Sequence, residues 1–197
     1  CSLIYTGLVQ LAFTRFISDR LFEKQRQLVL PNLHGLMVFV LIGAGLLGSL
    51  ALFVLLAGQS LLYRLLMLAG FTLLCGVWVL TVLLSGMKRY KAIVALFGLS
   101  YGLIVAASLW MRAWGLEGLL GGFVLGHYVL LAGMWLLVVK EFSPARRLVA
   151  FDFLQRDKLY PSLIAIGFLY NVGIWADKFM FWFFPPTSDE IIGSLRA

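Results

Sequence analysis

The residues best suited to chemistry lie late in the chain, in Asn171-Val172-Gly173-Ile174-Trp175-Ala176-Asp177-Lys178. A carboxylate and an ammonium stand there inside an otherwise apolar run. Neighbours on a helix project about 100° apart, so Asp177 and Lys178 need not pair with each other. Asn171, Trp175 and Lys178 share one face by i, i+4 and i, i+7 spacing, and Tyr170, Gly173 and Asp177 share another. Charges at hydrocarbon depth are expensive when turned to lipid. The pattern therefore predicts either the wall of a polar pathway or pairing with helices of a neighbouring bundle.

His127 is a second candidate, because an imidazole in an apolar segment can relay a proton. The plainer alternative is a neutral histidine hydrogen-bonded to a neighbouring helix. Arg15, Asp19 and Glu23 follow at i, i+4 and i, i+8, which suits a gate contact or a solvated ladder of ion pairs. Gly118, Gly122 and Gly126 recur every four residues and leave one smooth helix face for close approach. Gly43-Ala44-Gly45-Leu46-Leu47-Gly48 fits G-x-G-x-x-G, but lacks the strand before it and the helix start after it that a nucleotide site needs. His34 is the sole other histidine, so no zinc constellation forms, and no Ser/His/Asp, Cys/His or P-loop pattern is present. The expectation is a protein without metal, cofactor or catalytic centre.

The elements that must position these residues follow from composition. Of 197 residues, 62% are hydrophobic and 13% charged, with a mean hydropathy of +0.97. Soluble domains carry roughly half and a quarter respectively, so a water-soluble globule and a disordered chain are both excluded. Cys1 and Cys75 are the only cysteines, which excludes a disulfide scaffold. A bilayer crossing needs about 20 helical residues. Apolar runs broken by charges, Pro31-Asn32 and Gly58-Gln59-Ser60 predict spans at 1–18, 34–57, 62–86, 91–112, 116–139 and 160–184. The fold class is all-α, a polytopic membrane protein. The chain starts inside a hydrophobic stretch, and an apolar pattern restarts at Ile191-Ile192, so it reads as an internal piece of a longer protein.

The net charge of +7 is topological. Arg15, Arg20, Lys24, Arg26, Lys88, Arg89, Lys91, Lys140, Arg146, Arg147, Arg156 and Lys158 fall in alternate connections, against Arg64, Arg112 and Arg196 in the others. The positive-inside rule places the twelve in the cytoplasm, with anionic lipid headgroups as partner and no role for nucleic acid. Tyr63, Tyr90, Trp110, Trp114, Tyr160 and Trp182 near span ends suit the membrane interface. Segment 140–158 reads as a basic cytoplasmic linker. Ser143-Pro144 would start an interfacial amphipathic helix with Leu148, Phe151 and Leu154 on its apolar face. A hinge between two bundles would use such a linker.

Three blocks resemble the PelG family of exopolysaccharide exporters, within the multidrug/oligosaccharidyl-lipid/polysaccharide flippase superfamily. They are Gly7-Leu8-Val9-Gln10 with Thr14 through Lys24, Ile166 through Phe179, and Ile192 through Ala197. The resemblance implies a transporter of about twelve helices in two six-helix lobes, exporting a polysaccharide by alternating access. Residues 1–139 would belong to the first lobe, 140–158 to the interlobe linker and 159–197 to the start of the second. It further implies a cytoplasmic glycosyltransferase and membrane subunits of the same export system as partners. Asn171, Asp177 and Lys178 stand in the matching block, where Asp177 could attract an amino sugar. Within the superfamily, a lipid-linked oligosaccharide flippase fits the composition equally. From other classes, a membrane-embedded transferase would need a paired His and carboxylate at one membrane face, and a noncatalytic synthase subunit would tolerate neutral residues at 177 and 178.

Overall fold

The computed structural model describes residues 2–143, 145, 147–155, 160–183, 190–192 and 195–196. They form six long helices: α1 (Ser2–Phe22), α2 (Val29–Leu55), α3 (Leu61–Gly86), α4 (Tyr90–Met111), α5 (Gly115–Phe142) and α6 (Pro161–Phe183). A short antiparallel ribbon, β1 (Glu190–Ile192) with β2 (Leu195–Arg196), is the one departure from an all-helical chain among the described residues. Four stretches are long and apolar enough to cross a membrane: Arg26–Leu55, Leu61–Gly86, Tyr90–Phe142 and Pro161–Phe181. The third, of 53 residues, is folded in two. Arg112–Trp114 makes a single 3-10 turn, and Gly115 takes φ +68° and ψ −145°, a backbone region that residues with a Cβ avoid. α1 has the length of a span, at 21 residues, but Gln10, Arg15 and Asp19 dilute its apolar character.

Boundaries agree with the sequence expectations within a few residues, with instructive exceptions. α2 starts at Val29 rather than at 34, because Pro31 sits in the first turn, where no N–H is required. α5 continues through Lys140 and Glu141 to Phe142. Ser143 does not cap a new helix; it closes α5 in extended backbone, its N–H bonded to Val139 O at 3.0 Å. The expected amphipathic helix is absent from the described part of the linker, which holds only the turn Asp152–Leu154. Pro144, Arg146, Arg156 and Lys158 lie outside the described residues.

The described part of the linker forms no α-helix because its polar groups bond to α2 instead. Ala150 N–H donates to Pro31 O at 2.9 Å. Asp152 N–H donates to Asn32 Oδ1 at 2.8 Å, and Asn32 Nδ2 returns a bond to Asp152 Oδ2 at 3.1 Å. His34 accepts from Trp135 Nε1–H at 3.1 Å on Nε2, so Nδ1 carries the proton given to Leu148 O, 2.7 Å away. Gly35 lets the Ala150 backbone lie against α2, and Phe153 is buried edge-on against Phe13 at 5.5 Å. The result is a strap laid across α1 and α2.

The core is built by α2, α3 and α5, whose Leu33, Leu36, Val40, Leu80, Leu130 and Met134 are fully buried. α5 lies between α3 and α4, α1 packs on α3, and α6 rests chiefly on α1. The basic connections gather at one end. Glu141 on α5 accepts from Arg26 at 3.2 Å and also from Arg89, tying together the α1–α2 and α3–α4 connections. Lys24 and Lys88 take left-handed backbone, φ 61° and 58°, and close α1 and α3 at that same end. At the opposite end Ser60 caps α3, accepting from Tyr63 N–H at 3.1 Å, and its hydroxyl donates to Glu117.

Candidate functional site

The polar residues of α6 sit on a helix held by backbone contact with α1. Gly7 and Gly167 face each other where the two helices cross: a methyl at Gly7 would stand 2.8 Å from Gly167 O, and one at Gly167 would overlap the Gly7 carbonyl. Close approach of this kind lets helices associate where no hydrophobic effect drives them. Asn171, one turn beyond Gly167, donates from Nδ2 to Gly167 O at 2.8 Å and lies against Gly7. It is half-buried, and its Oδ1 has no protein partner among the described residues.

Beyond Asn171, α6 is largely uncovered. Trp175 is half-buried, and the Lys178 ammonium lies 5.2 Å from its ring centre. Asp177 and Lys178, free to point apart, nevertheless pair: Nζ stands 3.6 Å from Oδ1, which also accepts from Lys178 N–H at 2.8 Å. Both side chains are about half or more exposed, at 64% and 49%. The helix therefore presents a carboxamide, an indole and a loose ion pair in sequence, over about 10 Å of rise.

At the basic end α6 is tied down again, by Tyr160 O–H donating to Asp19 Oδ2 at 2.7 Å. Arg15 Nε holds the other oxygen of Asp19 at 3.2 Å. The expected three-member ladder is thus broken after one rung. Glu23 pairs instead with Arg20 at 2.7 Å, and Arg20 also donates to Gln25.

His127 is 1% exposed and lies in an aromatic box. Its Nδ1–H donates to Phe123 O at 2.9 Å, on its own helix rather than on a neighbouring one as expected, with the Phe123 ring centre at 4.1 Å and Tyr101 edge-on at 5.9 Å. The structure brings it to the α4 contact, away from α6. Gly118, Gly122 and Gly126 line that contact, where added methyls would overlap Met111 O, the Ser108 backbone and Ile104. Ser108 Oγ donates across it to Leu119 O at 3.1 Å.

Sequence reasoning did not single out Gly7, Gly167, Glu141, or the pairing of Asn32 with Asp152. Gly7 and Gly167 stand inside the resembling blocks, and a lone acid among basic residues at a helix end was a readable signal for Glu141. Nothing in the linear order links positions 32 and 152.

A family model, PelG, described as "Putative exopolysaccharide Exporter (EPS-E)", matches residues 1–197, the whole chain. The chain belongs to the PelG family. Neither the curated proteins nor the solved structures give a match.

Proposed function

We propose that this protein is an inner-membrane transporter of bacteria that exports an exopolysaccharide, of the kind that builds biofilm matrix, by alternating access between two six-helix lobes. On this reading α1–α5 belong to the first lobe, α6 opens the second, and the linker with its basic neighbours lies in the cytoplasm. The observation that carries it is the exposed Asp177–Lys178 pair of α6, with half-buried Asn171 and Trp175 before it, on a helix of membrane-spanning length in a chain of an exporter family. A helix with an exposed ion pair about 24 Å along its length from Pro161 suits a wet cavity better than lipid. Asp177 would attract amino groups of a sugar, and Trp175 offers a flat apolar face to a pyranose ring. The basic end would meet anionic lipid headgroups and the cytoplasmic glycosyltransferase and membrane subunits of the same system.

A second reading, a flippase of lipid-linked oligosaccharides, is favoured by an apolar crevice of about 490 Å³ lined by Tyr5, Leu8, Leu47, Phe71 and Phe168, where α1, α2, α3 and α6 meet.

The test is the location of polymer in cells carrying full-length protein with Asp177→Asn and Lys178→Met, beside wild type and a gene deletion, at equal membrane abundance. Secreted polymer should fall while cell-retained polymer rises. Wild-type amounts in both pools would make the charges structural. A deletion that leaves no polymer anywhere would point to a synthase subunit.

A further inference from the structure

α1 carries a second polar feature that the site above does not use. Thr6, Gln10, Thr14 and Ser18 recur every four residues along it, spanning about 18 Å of rise. The hydroxyl protons of this stripe are spent locally. Thr6 Oγ1 donates to Ser2 O at 3.0 Å, Thr14 Oγ1 to Gln10 O at 2.7 Å and Ser18 Oγ to Thr14 O at 2.9 Å. Such back-bonding is common in apolar helices and would alone mean little. Gln10 is different. Its Nε2 donates to Thr6 Oγ1 at 3.1 Å, and its Oε1 has no partner among the described residues. A carboxamide oxygen left unpaired in hydrocarbon costs several kcal/mol. Gln10 and Thr14 are half-buried and Ser18 exposed, so the stripe leaves the packed core at Thr6 and opens toward the basic end. The Asn171 carboxamide lies against Gly7, about one turn of α1 from Gln10, with Nδ2 and Cγ nearest the Gly7 backbone, and its Oδ1 has no partner among the described residues.

We propose that Gln10, Thr14 and Ser18, continued by Asn171, form a track of hydrogen-bond acceptors for the hydroxyl and amino protons of a sugar polymer. With the protons of Thr14 and Ser18 already committed, each oxygen offers only lone pairs, as do the carbonyl oxygens of Gln10 and Asn171. An acceptor-rich lining suits a hydroxyl-rich, amino-bearing glycan, and the cations nearest the track, Arg15 and Lys178, are each paired with a carboxylate, Asp19 and Asp177. The track rests on the export reading, and it extends the route from α6 onto α1.

Two measurements on the full-length protein in its own cells test it. Gln10→Leu and Thr14→Val should each lower secreted polymer about five-fold, the worth of one hydrogen bond, with retained polymer rising at unchanged membrane abundance. Thr14→Ser should restore export. In a cysteine-free background of that protein, Cys1→Ser and Cys75→Ala included, cysteines at 10, 14 and 18 should react with a water-soluble maleimide in permeabilised cells, and cysteines at Phe13 and Ile17 should not. Wild-type export by both variants overturns the proposal, whether or not the stripe is labelled. Equal labelling of all five positions, or of none, overturns it too. A deletion that retains no polymer would instead sink the export reading itself.

Discussion

The crossing of α1 and α6 makes the sharpest prediction, because three glycines on or facing one helix should respond with opposite signs. Gly167→Ala adds a methyl that overlaps the Gly7 carbonyl, and Gly7→Ala adds one 2.8 Å from Gly167 O. Both obstacles are backbone, which cannot rotate away, so the helices must separate. Overpacking of this kind costs about 1–3 kcal/mol. Gly173, six residues along the same helix, has nothing within 4 Å of its added methyl. There alanine removes a poor helix former and should stabilise by up to about 1 kcal/mol. Thermal unfolding of the full-length protein in lipid nanodiscs should therefore give a midpoint lowered by ~2–12 °C for either crossing variant, and unchanged or raised for Gly173→Ala. The double variant should cost less than the two singles added, since one methyl already holds the helices apart. If Gly167→Ala unfolds at or above the wild-type midpoint, as Gly173→Ala should, then α1 and α6 do not meet there and α6 is docked elsewhere.

Three further outcomes follow from the packing at other points. Asn32→Ala removes a buried amide bonded to Leu28 O at 2.9 Å and to Asp152 at both its N–H and its carboxylate, so stability should drop by about 2–4 kcal/mol. The strap should then be cut faster by trypsin at Arg147; an unchanged cleavage rate would mean that the strap is held by its apolar contacts alone. Glu141→Gln loses ion pairs to Arg26 and Arg89, whose side chains are more than half exposed, so only about 1 kcal/mol should go. That difference should shrink at 1 M salt, and a salt-independent loss would refute an electrostatic clamp. Gly122→Leu should prevent stable accumulation in the membrane, because its side chain would enter the Ser108 backbone, whereas Gly102→Leu on α4 has open space and should accumulate normally.

The residues that disclose themselves in sequence and those that do not differ in a physical way. Helix spans are announced by what a bilayer demands of every residue within them, so 62–86 and 91–112 could be placed within one residue of α3 and α4. The glycine face at 118, 122 and 126 was equally plain, since its meaning is carried by one helix's own periodicity. The linker misled for a related reason. Ser143-Pro144 and the spacing of Leu148, Phe151 and Leu154 specify a helix only if the backbone has no better partner, and Asn32, Pro31 and His34 supply one from more than a hundred positions away. The charges of α6 show a middle case. Their presence at 177 and 178 was visible, but their mutual pairing depends on side-chain torsions rather than on helical phase. The same distinction bears on mechanism. A strap bonded to α2 at Pro31, Asn32 and His34 cannot serve as the hinge along its whole length. On the two-lobe reading proposed above, the strap would travel with α2, while Tyr160 O–H to Asp19 ties the start of α6 to α1.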